Sequence, residues 1–497
     1  MSFDPRQPVL VGIGTCMQRE DLLARSKEPM DLMLQAVRRA GIDAAGVNGG
    51  DVRALSSVQT IAVPKGRWRY RNPAGEIARH IGAKAATTVL ASVGVLQQSL
   101  IGDACDRIAK GDIDCALIVG ADAGHRILCA KKNGERAGER QQDDAPDVSL
   151  EPEEELLHPA ELKAGLRMPV ALYALMESAW RAKNGLSVDA HRAQLGMLYQ
   201  RFSEVAAHNP EAWRKTSFSA QEISHASERN PMQAFPYTRR HCATWNVDQA
   251  AALLICSAAH AQALGIAPSK WVYAAASSES NHMVPVSARA DLAACVGARL
   301  AGHAALAAAG ITASQLDLVE LYSCFPIAVE AYAQELGIPL TRDLTVTGGM
   351  PFAGGPFNNY VLQATCRMAE LLRQERGSSR RVGLVSSVSG IMTKQGFGVW
   401  ASQPGDSGFA FEDVSADTAR QQQTKDVSLS FQGRAAIAGY TVLYDKAQAP
   451  RALVLADTDT GCRALAWSAD PALLSRMEGG EFCGASICVH DSLFTLA

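Results

Sequence analysis

A faint internal repeat constrains this chain more than any other feature of its sequence. Residues 9–14 (VLVGIG) and 271–277 (WVYAAAS) each read as a buried β-strand. An alanine-rich helix follows each strand and ends in the same tripeptide, Ala40-Gly41-Ile42 or Ala309-Gly310-Ile311. Glycine at that point suits a left-handed helix cap. Apolar strands come next, at 52–63 and at 316–325. Each copy then closes on another strand, 115–120 (CALIVG) or 382–387 (VGLVSS). The spacing is nearly constant: 263 residues from Val9 to Val272, 269 from Gly41 to Gly310, and 261 from Cys105 to Cys366. Alanine-rich helices can match by composition alone. Three concordant offsets, taken with the strands, predict two similar α/β halves packed together.

The rest of the chain does not repeat. Residues 131–157 are polar, charged and poor in aromatics, as a solvated excursion would be. Residues 168–228 show helical periodicity around Tyr173, Trp180, Tyr199, Phe202 and Trp213. A helical insertion over an α/β core commonly covers a ligand site. After Pro404 a polar stretch is followed by short alternating runs separated by Gly, Pro and Asp. These runs predict a small all-β domain, for which a barrel is one arrangement. The expected organisation is a first half at 1–130, a loop and helical insertion returning to the core at 131–262, and a second half at 263–404. A linker at 405–425 and a β domain at 426–497 complete it.

Composition removes several functional classes. The 497 residues carry 48 Lys plus Arg against 51 Asp plus Glu, a net charge of −3. That balance argues against bulk electrostatic binding of nucleic acid. No run reaches the roughly 18 apolar residues of a membrane span, and residues 251–266 are interrupted by His260 and Gln262. The first apolar run is too short for a signal peptide. Twelve scattered cysteines then read as reduced thiols of a cytoplasmic protein. No cysteine pair has convincing zinc spacing, so no metal centre is expected.

Dinucleotide and Walker signatures, HExxH and GxSxG are all absent. Three turns carry the chemistry instead. Residues 319–329 (VELYSCFPIAV) bring Tyr322, Ser323 and Cys324 to a strand end, where ligands bind in α/β sheets. Residues 345–360 (TVTGGMPFAGGPFNNY) form a glycine-rich loop that opens a helix, and helix N-termini offer free N–H donors. Residues 386–398 (SSVSGIMTKQGFG) make a small-residue turn, in which Lys394 reads as a surface charge. A core role for Tyr322 and Cys324 is the competing reading.

Over about residues 5–404 this arrangement resembles the thiolase superfamily, in particular its sterol carrier protein-type branch. The Tyr322-Ser323-Cys324-Phe325 turn stands where that branch has His-Asp-Cys-Phe. Residues 230–253 (NPMQAFPYTRRHCATWNVDQAAAL) are similar to the segment leading into its Asp-Gly-Ala-Ala region, with Asp248 at the Asp. The extra β domain points to the bacterial thiolase-like proteins of type 1. The resemblance implies a duplicated five-layer fold and a coenzyme A or acyl-CoA ligand. It places Gly348, Gly349, Gly354, Asn358, Ser389, Gly390 and Asp248 near that ligand.

It also implies a nucleophilic Cys, an activating His and a second Cys. Here those positions hold Ala91, Gly355 and Ser387. The first two are 264 residues apart, matching the repeat. Alanine cannot be acylated and glycine cannot take a proton, so ordinary thiolysis is not expected. Ser92 and Cys324 are weaker nucleophile candidates. Tyr322, and less directly Tyr360, suit a retro-aldolase acting on a β-hydroxyacyl-CoA. A non-catalytic acyl-CoA-binding protein is the alternative, as is a site completed by a protein partner. A homodimer is compatible with the resemblance.

Overall fold

The computed structural model describes residues 4–45, 51–152, 155–166, 168–374, 379–445 and 448–497. The two repeat strands, Pro8–Gln18 and Val272–Ser280, are mostly buried and meet edge to edge through Val9↔Tyr273 and Leu10↔Val272. Sheet grows outward from each in the same order. In the first half Pro8–Gln18 is followed by Asp248–Ser257, Cys115–Ala123, Thr60–Pro64 and Thr87–Ala91. In the second, Val272–Ser280 is followed by Lys394–Ala401, Val382–Ser389 and Leu318–Glu320. Both halves make two antiparallel joins and then turn parallel. The buried strands lack polar alternation because helices cover both faces.

Those helices make five layers. Gln97–Lys110 and Tyr360–Gln374, at matching places in the repeat, lie in the middle and touch strands of both halves. Pro29–Ala45 and Pro73–Ile81 cover the first sheet outside, and Val296–Ala308 covers the second. The N-termini of the two central helices adjoin. Gln97 Oε1 accepts from Val361 N–H (2.8 Å), and Gln97 Nε2 donates to Asn358 Oδ1 (3.2 Å).

Several segments differ from expectation. Residues 52–63 are a helix, Asp51–Ser56, and then a strand, Thr60–Pro64. Of 316–325 only Leu318–Glu320 is strand, because the chain turns at Tyr322–Phe325 into helix Pro326–Glu335. The polar excursion is anchored. Its Val148–Leu150 adds a parallel strand to Thr87–Ala91, and Arg140 pairs with Glu28, Asp31 and Glu76. Residues 405–425 carry strand Ala410–Asp413, paired to the edge of Val272–Ser280, and helix Ser415–Gln421. Phe411 is the single large apolar residue of that four-residue strand, so alternation is invisible in its sequence.

At the C-terminus five strands close on themselves: Gly433–Asp445, Gln448–Thr458, Arg463–Ser468, Leu493–Leu496 and Ser486–His490. Closure removes free edges. One helix, Pro471–Gly479, is added to this otherwise β unit. The barrel is docked on the insertion helix Pro169–Lys183. A Cβ on Gly439 would fall 2.6 Å from Leu175 O, so only glycine permits that approach. Tyr440 N–H donates to Ser178 Oγ (2.8 Å), and Arg181 Nη2 donates to Tyr440 Oη (2.7 Å). The insertion hairpin Met232–Ala234 and Tyr237–Thr238 extends the barrel sheet through Leu443↔Ala234.

Candidate functional site

The three turns singled out in the sequence converge. Tyr322 N–H donates to Ser386 Oγ (2.8 Å), Met350 N–H to Ser323 Oγ (3.0 Å) and Ala243 N–H to Cys324 O (3.1 Å). Gly355 N–H donates to Thr244 O (2.9 Å). Tyr322 and Tyr360 meet edge to face, with ring centroids 5.7 Å apart. Tyr322, Cys324, Gly349, Gly355, Tyr360 and the Ser386–Ser387 pair therefore share one neighbourhood.

Their chemical freedom differs. Tyr360 is spoken for: its hydroxyl lies 2.5 Å from Glu320 Oε1 and 2.7 Å from Thr347 Oγ1. Tyr322 is 7% exposed, and its hydroxyl has no hydrogen-bond partner among the described residues. Burial drives its phenol pKa upward, which makes it a proton donor rather than a base at neutral pH. Burial pushes the Cys324 thiol to about 12, with Tyr173 beside it opposing the shift. A thiol held protonated is a poor nucleophile. Ser387 is fully buried and its hydroxyl has no partner among the described residues.

The glycines assigned to ligand contact are approached mainly by the protein itself. A Cβ on Gly348 would strike the backbone of Ala206 in helix Val188–His208, and one on Gly354 would strike the Gln249 side chain. One on Gly349 would lie 2.5 Å from the Phe202 ring, and one on Gly355 3.0 Å from Met350 Cε. Asp248 is also internal. It accepts from Arg126 N–H (3.0 Å) and Gln18 Nε2 (3.1 Å), fixing the start of helix Gly124–Lys132. Asn358 is bound to Gln97. Ser389 and Gly390 open a turn in which Gly390, Ile391 and Met392 all have positive φ, at 61°, 59° and 54°. A β-branched residue there is strained. Buried Arg289 holds the turn through Ile391 O (2.7 Å).

Open space lies on the other side of the first central helix. Ala91 ends its strand at 1% exposure, and Ser92 N–H donates to Leu150 O (2.8 Å). The loop that follows leads into a polar cavity of about 460 Å³, lined by Val95, Ser99, Asn281, His282, Lys394 and Asp413 among others. A second cavity, about 270 Å³, shares Ser99 and Leu150 with it and is walled by Val89, Leu100, Ala104, Ile118 and Phe411. Lys394 is thus 6% exposed rather than a surface charge, and it has no ion pair among the described residues. Glu279 lines the second of these cavities and accepts from Ser99 Oγ and Asn281 Nδ2. Sequence reading singles out neither Glu279 nor His282 and takes Lys394 for a surface charge, because the end of strand Val272–Ser280 and the start of strand Lys394–Ala401, 114 positions apart, meet only in the fold.

No protein-family model matches the sequence, and no curated protein matches it. Solved structures do. A monomeric SCP2-thiolase-like protein type 1 from Mycobacterium smegmatis is 27% identical, covers 100% of both chains and gives a TM-score of 0.81. The Ltp2-ChsH2(DUF35) aldolase contains a chain 16% identical at a TM-score of 0.60, covering 80% of this chain and 99% of that one. Human mitochondrial 3-ketoacyl-CoA thiolase, solved in complex with CoA, is 16% identical at 0.54, over 80% of this chain and 99% of that one. Duplicated halves, paired central helices and a likeness spanning the whole chain place this protein in the thiolase superfamily, beside the SCP2-thiolase-like proteins of type 1.

Proposed function

We propose that this chain binds an acyl-CoA thioester in the two cavities that meet at Ser99 and Leu150, without forming a cysteine-linked acyl intermediate. The observation that carries the reading is their position: they open beside the loop that follows Ala91, where the superfamily's nucleophile would stand. The apolar arm along Val89, Leu100 and Phe411 suits an acyl chain. Lys394, on the wall of the polar cavity, is a donor for the thioester carbonyl. Ala91 and Gly355 supply neither nucleophile nor base, and the Cys324 thiol stays protonated at neutral pH. Residues 148–150 cover the sheet edge next to Ala91, which favours a site built from one chain.

Calorimetry and native mass spectrometry with CoA, acetyl-CoA and longer acyl-CoAs test this. Affinity should rise with chain length until the arm is filled, and the intact mass should stay unchanged. Leu100→Trp should erase the chain-length gain while leaving CoA affinity in place. Absence of binding at millimolar ligand would overturn the reading.

The unpaired hydroxyl of Tyr322 favours a second reading, retro-aldol cleavage of a β-hydroxyacyl-CoA. Tyr322 would hold the thioester carbonyl and return a proton to the enolate. Its raised pKa leaves the β-hydroxyl proton to another base, so a protein partner would complete the site. Release of a free carbonyl product from a β-hydroxyacyl-CoA, lost in Tyr322→Phe, separates this reading from binding alone.

A further inference from the structure

Three side chains that line neither of those cavities converge on one point. His125 and Cys129 lie one turn apart on helix Gly124–Lys132, so the helix itself holds both on one face. Asp21 reaches them from the segment after strand Pro8–Gln18. His125 Nε2 is 2.9 Å from Asp21 Oδ1 and 3.5 Å from Cys129 Sγ, and Cys129 Sγ is 3.6 Å from Asp21 Oδ1.

The same ring nitrogen faces both partners. In a nucleophilic triad the carboxylate would orient the imidazole from its other nitrogen. Here one nitrogen serves both acid and thiol and the carboxylate does not orient the ring from behind, so the set is not arranged as a triad to activate Cys129. Three donors around a shared point suit a cation. A tetrahedral ion with bonds of about 2.0–2.3 Å separates its ligand atoms by roughly 3.3–3.7 Å. Two edges of the triangle already match, and the third opens by a few tenths of an ångström. Asp21 can supply that movement, since its side chain is 85% exposed.

The other two ligands are held more firmly. Cys129 is 8% exposed and the His125 side chain 20%. The Trp213 ring meets the His125 ring edge to face at 5.4 Å, and the Arg19 guanidinium covers Trp213 at 4.5 Å. Burial and the Asp21 carboxylate raise the thiol pKa of Cys129, a penalty that a bound dication reverses.

We propose that Asp21, His125 and Cys129 form a zinc site with its fourth position open to water. Mixed nitrogen, sulfur and oxygen donors in a tetrahedral arrangement favour Zn²⁺ over Mg²⁺ or Ca²⁺. The ion would fasten the segment after the first strand to helix Gly124–Lys132. This inference is independent of the acyl-CoA reading.

The full chain, stripped with a chelator under reducing conditions, is titrated with Zn²⁺ by calorimetry and with Co²⁺ by absorption. One equivalent of Zn²⁺ should bind. Co²⁺ should give a thiolate charge-transfer band in the near ultraviolet and the strong visible bands of tetrahedral cobalt. Cys129→Ser should abolish the charge-transfer band. His125→Ala and Asp21→Asn should each weaken Zn²⁺ binding by at least about tenfold. Asp21→Asn changes an exposed side chain, so its folding is not at issue, and melting curves without metal check the other two. Failure to bind one equivalent, a cobalt spectrum without the thiolate band, or a band that survives in Cys129→Ser would each overturn the proposal.

Discussion

The two halves of the repeat reach the same place in the fold by different means. In the first, Thr87–Ala91 is a regular strand, paired on one side to Thr60–Pro64 and on the other to Val148–Leu150. An exposed carboxylate finishes it: Asp147 Oδ2 accepts from Thr88 N–H (2.8 Å) and Oγ1 (2.7 Å). In the second half the corresponding segment, 344–347, forms no ladder. Buried Glu320 substitutes for the missing strand, accepting from Val346 N–H (2.7 Å), Thr347 N–H (2.9 Å), the hydroxyls of Thr345 and Thr347, and Tyr360 Oη (2.5 Å). Backbone pairing tolerates almost any side chain. A carboxylate that replaces it makes the glycine-rich loop depend on a single residue.

Glu320→Ala should therefore have the largest effect of the variants considered. Several buried donors lose their acceptor, and the cost should be roughly 3–5 kcal/mol in urea denaturation. Asp147→Asn, its counterpart in the first half, should shift the melting temperature only slightly, because solvent replaces what it loses. Equal losses in the two variants would break the comparison.

A second buried network sharpens the contrast. Glu177 and Glu330 both face His191 Nε2, at 3.0 and 3.4 Å, in a cluster that ties the insertion helices to helix Pro326–Glu335. Tyr237 Oη donates to Glu177 and Gln194 Nε2 to Glu330 (2.7 Å). The two carboxylates hold the His191 proton, raising its pKa from 6.5 to about 10 against the opposing effect of burial. Burial and Glu330 raise Glu177 from 4.5 to about 8. Both groups bind protons more tightly in the folded state. Their contribution is thus complete below the unfolded values and fades as pH climbs through 8 and 10. Glu330 is shifted the other way by His191, and its contribution fades only in acid. The melting temperature should fall between pH 7 and pH 10. His191→Gln should cost about 3 kcal/mol at pH 7 and flatten that slope. An unchanged slope would remove the cluster from the account.

Smaller effects follow at the barrel and at Ala91. Tyr440→Phe loses the bonds to Arg181 and to Gly480 O (2.5 Å), and should cost about 1–2 kcal/mol. Ala91→Cys should change activity least: no thiolysis of an acetoacetyl-CoA-type substrate should appear, because Gly355 supplies no base. Measurable turnover would show that the second half does not need its histidine.

The repeat was legible because it is written in strand and helix spacing, and the central helices Gln97–Lys110 and Tyr360–Gln374 begin 263 residues apart. The superfamily resemblance assigns Ala91 and Gly355, and their separation of 264 residues agrees with that spacing. Side-chain convergence was not legible. Glu177 and Glu330 are 153 positions apart, and each sits on a helix that reads as ordinary insertion or core. Asp21 lies 104 positions before His125. In the sequence Glu320 reads as one residue of a strand, and nothing in VELYSCF states that its partner strand is missing. The cavities escaped notice for a similar reason. Their walls include Phe411, from a stretch whose polar composition resembles a linker.

The hairpin that joins the insertion to the barrel also bears on the order of synthesis. Phe235 N–H donates to Val442 O (2.8 Å), and the Phe235 ring belongs to the barrel core. Its partners, on strand Gly433–Asp445, leave the ribosome some two hundred residues later. Until then the hairpin at 232–238 has no sheet to join, and the Leu175 face of helix Pro169–Lys183 has no Gly439 against it. A nascent chain stopped at residue 425 is therefore a superfamily core with an unfinished seam, and removing the barrel from the gene would reopen that seam in every molecule made.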